Sequence, residues 1–143
     1  MALGNPFPSD SEAPSTSTSG TSLAEQTQIE FELGFFFGVL KRNPNYVDAL
    51  RILSKLLTLK GRYEEGLQID RRLVQLCATD PLAHYNLACR YARLKRLDPC
   101  LRLLRRAFEL GYHDFHYVLE DRDLASVRHD PRFRQLIREF LQD

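Results

Sequence analysis

Four histidines and three cysteines are the residues of this chain that could ligate a metal or act as nucleophiles. His113 and His116 stand three apart beside Asp114, while His84 and His129 are isolated. A metal site needs more converging ligands than that. Cys77, Cys89 and Cys100 form an odd set without paired spacing, and none has a histidine close by in sequence. They are expected as reduced thiols, with Cys100 buried between helices. Asp121 and Asp123 read as turn and cap residues. Asp98 with Arg102, and Arg105 with Glu109, read as four-apart pairs on a helix surface. No glycine loop of the phosphate-cradling kind is present. The expectation is therefore no catalytic residue, no metal and no cofactor.

Arginine offers a different chemistry, the binding of anions. Arg90, Arg93, Lys95, Arg96, Arg102, Arg105 and Arg106 crowd into one stretch with a single acid, Asp98. A stripe of that kind can hold RNA, an acidic protein or an anionic surface. Exposed aromatics for base stacking do not interleave it, so nucleic acid is disfavoured. Glu64, Glu65 and Glu109 are the acids available to neutralise it.

The elements that must position these residues are helices. The chain of 143 residues is 43% hydrophobic and 27% charged with net charge +1, a globular composition that excludes a nucleic-acid coat or an acidic tail protein as a whole-chain description. The total hides an asymmetry: residues 1–40 carry −5 and residues 41–143 carry +6. Residues 1–22 are rich in Ser, Thr and Pro and are expected to be a disordered acidic tail. Beyond them apolar residues recur every three or four positions. The spacing predicts helices over 23–42, 46–59, 62–77, 81–94 and 97–110. Breaks fall at Asn43-Pro44, Lys60-Gly61 and Thr79-Asp80-Pro81. No apolar run is long enough to span a bilayer and no secretory signal is visible, so the reading is a cytoplasmic protein with no membrane insertion.

These helices repeat. Residues 47–80 align without a gap on residues 81–114, with eight identities in 34 columns, among them Leu53/Leu87, Leu67/Leu101, Arg71/Arg105 and Arg72/Arg106. A period of about 34 with two helices per unit belongs to the tetratricopeptide repeat. The second unit resembles that family through Leu87-Ala88, Tyr91, Cys100 at a small-residue position, and Ala107. The first fits through Leu53-Ser54, Leu57, Gly61-Arg62-Tyr63 and Gly66. Residues 29–46 resemble the second helix of a preceding repeat, with Phe31, Phe35, Val39 and Leu40 facing the next hairpin. Residues 115–143 depart from the repeat and resemble a helical cap found after the last repeat in small bacterial members. There Asp130-Pro131 opens a helix whose Phe133, Leu136, Ile137 and Phe140 form one apolar face.

The resemblance implies an all-α right-handed solenoid: a leading helix over 23–42, repeats over 47–80 and 81–114, and a cap over 115–143. It implies a non-catalytic protein–protein interaction module, a scaffold, adaptor or chaperone-like binder that takes a peptide in its concave groove. By the family's register that groove holds Arg51, Lys55 and Thr58 from one hairpin and Tyr85, Asn86, Cys89 and Arg93 from the next. Two alternatives remain open. One is binding of RNA or an anionic surface by an outer stripe of Arg71, Arg72, Arg102, Arg105 and Arg106. The other is a homo-oligomer formed through Phe36 and Phe37 of the leading helix.

Overall fold

A computed structural model describes residues 22–142, and among them every regular element is helical. The order is α1 (Leu23–Arg42), α2 (Val47–Leu59), α3 (Tyr63–Leu76), α4 (Pro81–Arg93), α5 (Leu97–Glu109), α6 (Phe115–Glu120), a 3-10 turn (Arg122–Leu124) and α7 (Pro131–Leu141). No helix among the described residues is long and apolar enough to cross a membrane. The tail expected over residues 1–22 lies outside the described residues except for Ser22. That residue caps α1 by accepting the Glu25 N–H at 3.0 Å.

Local signals explain the helix ends. Asp80 and Asp130 cap α4 and α7, each followed by a proline whose missing N–H costs nothing at a first turn. Gly61 turns the first hairpin at φ 72°, and Lys95, 34 positions on, is held at φ 59° in the second. A lysine there adopts a left-handed backbone that glycine takes without strain.

The period extends further than the sequence comparison indicated. First helices start at residues 47, 81 and 115, and second helices at 63, 97 and 131, so successive starts lie 34 residues apart. Residues 115–143 therefore keep the spacing of the hairpins they were expected to abandon. What departs is the first helix of that third unit. It stops at Glu120 because the Asp121 side chain accepts the Asp123 N–H and winds the chain into the 3-10 turn.

The leading helix also differs from expectation. Phe31 and Phe35 are 68% and 57% exposed, so they do not pack onto the next hairpin. Ile29, Leu33, Phe36, Phe37 and Leu40 do so instead, against Leu53, Leu56 and Leu57 of α2. A 3.6-residue turn sets Ile29, Leu33, Phe36 and Leu40 on one face and Phe31 and Phe35 on the opposite one. Phe36 and Phe37, expected as an outward contact for self-association, are thus half-buried against α2.

Two apolar clusters result, one between α1 and α2 and a larger one joining α4, α5, α6 and α7. Between the hairpins lies a buried polar knot. Arg90 of α4 donates from Nε to Asp70 Oδ2 of α3 at 2.8 Å. Its terminal nitrogens donate to Thr58 Oγ1 at 2.8 Å and to Ser54 Oγ at 3.1 Å on α2. Ser54 in turn donates to Asp70 Oδ1 at 2.5 Å. Burial pushes the Asp70 carboxyl upward, and the Arg90 charge opposes it. Gly66 makes room for the guanidinium: a Cβ there would stand 2.5 Å from Arg90 Cζ.

Candidate binding surfaces

The third unit lies across α4, and this rearranges the expected concave site. Tyr85 is fully buried, donating its hydroxyl to Asp121 Oδ2 at 2.6 Å and stacking on Tyr112 at 4.4 Å between ring centroids. Cys89 is buried with its thiol 3.7 Å from the same oxygen. Arg93 pairs with Asp123 at 2.7 Å and lies over the Tyr63 ring. Ser126 donates to the Ala92 carbonyl at 2.7 Å. Tyr85 and Cys89 are therefore not groove residues: the turn after α6 covers the side of α4 that was to receive a peptide. Thr58 is half-buried and engaged by Arg90. Asn86 is half-buried, its Oδ1 enclosed. Of the seven, Arg51 and Lys55 alone are exposed, and Arg51 is 3.6 Å from Asp80.

Cys89, Asp121 and Asp123 offer ligand atoms within 4.8 Å of one another, a convergence the histidine and cysteine spacing did not reveal. Their oxygens already have work. Asp121 accepts from Tyr85 and from the Asp123 N–H, and Asp123 holds Arg93. A cation would have to displace an arginine, and the group acts instead as a lock between α4 and the third unit.

Burial sets the thiol chemistry. It pushes the Cys100 thiol up to about 12, and it pushes the Cys89 thiol up as well, with the nearby Asp121 charge adding to the effect. A thiol that stays protonated is a poor nucleophile. Titration of the native protein with an aromatic disulfide reagent at neutral pH should therefore find one fast thiol, the half-buried Cys77, and three after denaturation. The same shifts make stability pH-dependent. Above the ordinary thiol value of 9.0 the unfolded chain loses these protons first, so the native state binds more and stability falls as pH rises toward 12. The slope is roughly 1.4 kcal/mol per pH unit for each buried thiol. Thermal melts from pH 8 upward should show it, and Cys100→Ala should flatten it.

The anion-binding surface takes a form only partly anticipated. Arg102, Arg105 and Arg106 of α5 line a groove of about 810 Å³ together with Arg132 and Arg138 of α7, over a floor of Leu101, Leu136 and Pro131. Asp98 and Glu109 are the acids on its wall. Arg71 lies in a second hollow of about 340 Å³, sharing it with Arg102, Tyr91 and Leu103. Arg72 is turned away to Asn45 Oδ1 at 2.5 Å. The expected single stripe is thus split, and α7 supplies two arginines that the repeat alignment left out.

The expected pairs within α5 form differently. Asp98 pairs with Arg132 of α7 at 2.9 Å, and Arg105 with Glu139 of α7 at 2.9 Å, while Glu109 meets Arg106 at 3.5 Å. The Arg105 guanidinium holds the Glu139 carboxyl below the usual range. Arg102 and Arg138 have no carboxylate partner among the described residues, and Arg138 donates only to Gln135 at 2.9 Å. Glu64 meets Arg96 of the basic stretch at 2.5 Å, as expected, whereas Glu65 is taken by Arg62 outside it.

Fold and surfaces together define a protein that is all-helical over its described residues, in which helix starts from Val47 onward recur every 34 residues and a cationic groove lies between α5 and α7. The chain is similar to a chloroplastic protein of Arabidopsis thaliana, with 33% identity over 86 residues covering 56% of this chain. The chain spans about a quarter of the length of that relative, since the match covers 25% of it. No family model matches the chain. No solved structure matches it.

Proposed function

We propose that the chain is a non-catalytic protein-interaction module of the tetratricopeptide type, and that it docks an acidic segment of a partner protein in the groove between α5 and α7. The observation that carries this reading is the composition of that groove: five arginines against two acids, over an apolar floor. Such a surface favours a segment that brings carboxylates at its edges and a few apolar side chains at its centre. A structural role for the buried groups Tyr85, Cys89, Asp121 and Asp123 suits a non-catalytic protein.

The test is titration of the protein with a fluorescent amphipathic peptide rich in Glu and Leu, alongside a single-stranded RNA of similar length. Arg102→Glu with Arg138→Glu reverses two arginines that hold no carboxylate, so the fold should survive. Peptide affinity should fall roughly tenfold or more, about 1.4 kcal/mol. Unchanged peptide affinity would sink the assignment. Tighter binding of RNA, weakening steeply with salt, would transfer the groove to nucleic acid. Arg51→Glu with Lys55→Glu serves as the control for the open remnant of the concave face.

The relative's name places that relative in the chloroplast, whereas the expectation for this chain, drawn from its lack of a long apolar run and of a visible secretory signal, is the cytoplasm. Imaging of a fluorescent fusion distinguishes the two compartments.

A further inference from the structure

The outward face of α1 is unlike that of an ordinary surface helix. A helix packed on one side presents charged and polar groups on the other. Opposite its buried Leu33, α1 instead exposes Phe31 at 68% and Phe35 at 57%. Beside them stand Gly34 and Gly38, and a Cβ at either would meet nothing within 4 Å. Each glycine costs the helix about 1 kcal/mol relative to alanine. No packing among the described residues makes use of either.

The charges on α1 indicate what covers this face. Glu25, Glu30 and Glu32 lie in its first half, and Lys41 and Arg42 in its last turn. Lys41 and Arg42 form no ion pair among the described residues. Glu30 touches Lys60 at 2.7 Å yet stays 55% exposed. Glu30 and Lys41 are eleven residues apart, about three turns, and so project from the same flank of the helix. Glu30 and Lys41 thus set an acid in the first half and a base in the last turn of one flank, a pair that is complementary to itself when reversed. A parallel copy would set base against base.

We propose that α1 pairs antiparallel with α1 of a second copy of this chain. The pairing is isologous and centred near Phe35. It sets Glu30 of each chain against Lys41 of the other, and the phenylalanine rings of each chain fill the space left by the other's glycines. The opposed helix dipoles favour the same orientation.

Sedimentation equilibrium of the full chain tests the proposal. The wild-type protein should dimerise reversibly. Phe31→Asp with Phe35→Asp should be monomeric with unchanged helical circular dichroism, since both side chains are exposed. Lys41→Glu should weaken the dimer about tenfold, and adding Glu30→Lys should restore it. A wild-type chain that stays monomeric at all concentrations overturns the proposal, including the case in which residues 1–21 of the same chain cover the face. An unaffected phenylalanine variant also overturns it. Failure of the reversed pair to restore the dimer overturns the antiparallel alignment.

Discussion

Replacing Arg90 by methionine is expected to destabilise the protein by about 3–5 kcal/mol, the range for removing one partner of a buried ion pair. Arg90 and Asp70 have side chains only 5% and 4% exposed. The variant leaves the Asp70 carboxyl with Ser54 alone as a donor and leaves Thr58 without the guanidinium. A loss of that size is a large fraction of the total stability of a domain, which is roughly 5–15 kcal/mol. Urea denaturation should show it as a lowered midpoint at unchanged slope. The double variant Asp70→Leu/Arg90→Met should be more stable than Arg90→Met alone, because apolar residues of similar volume remove the uncompensated charge. Additive losses in the double variant would mean that the pair is not coupled. Gly66→Ala probes the same knot sterically, and should cost about 1–3 kcal/mol by forcing the guanidinium aside.

Replacing Asp121 by alanine is expected to loosen the third unit from the rest of the stack. This carboxylate is 6% exposed and accepts the Tyr85 hydroxyl, the Cys89 thiol and the Asp123 N–H. Its loss strands a fully buried tyrosine hydroxyl and removes the cap of the 3-10 turn. Hydrogen bonds to a charged group contribute about 1.5–3 kcal/mol, so a loss of ~3 kcal/mol is expected. The variant differs from Arg90→Met in where the damage falls. Hydrogen exchange should quicken at Val118, Leu124 and Val127, which are buried in the larger cluster, and hardly change at Leu53 and Leu57. Asp121→Asn keeps an acceptor oxygen and should lose less than half as much. Uniform acceleration across α2 and α7 would contradict the assignment of Asp121 as a local lock.

The positions of α1 to α5 were available from the sequence to within a residue or two, because caps and breakers are local. Asp80-Pro81, Asp130-Pro131 and Gly61 act through their own backbone and need no distant partner. The alignment at 34 residues placed α2 to α5 correctly for the same reason. It missed the third unit, whose first helix is cut short at Asp121 and keeps only the spacing, not the residue pattern. The candidate groove was misread where a later segment intervened. Tyr85 and Cys89 have the register of groove residues, but nothing within α4 signals that residues 121–124, more than thirty positions on, cover them.

The arginine surface shows the same division. Charge density near Arg102–Arg106 is a property of one stretch and was visible at once. That Arg132 and Arg138 join it, while Arg72 turns to Asn45, depends on how α5 meets α7 and how α3 meets the loop after α1. For α1, the 3.6-residue period assigns Phe31 and Phe35 to one side and Leu33, Phe36 and Leu40 to the other. Which side faces inward was decided by contact with Leu53, Leu56 and Leu57. Sequence alone determined the helical class, the period and the net charge of each segment, because these depend on neighbours a turn or a repeat away. The tertiary structure decided which groups are buried, paired or left open, because burial and pairing are settled between residues that the chain brings together only by folding.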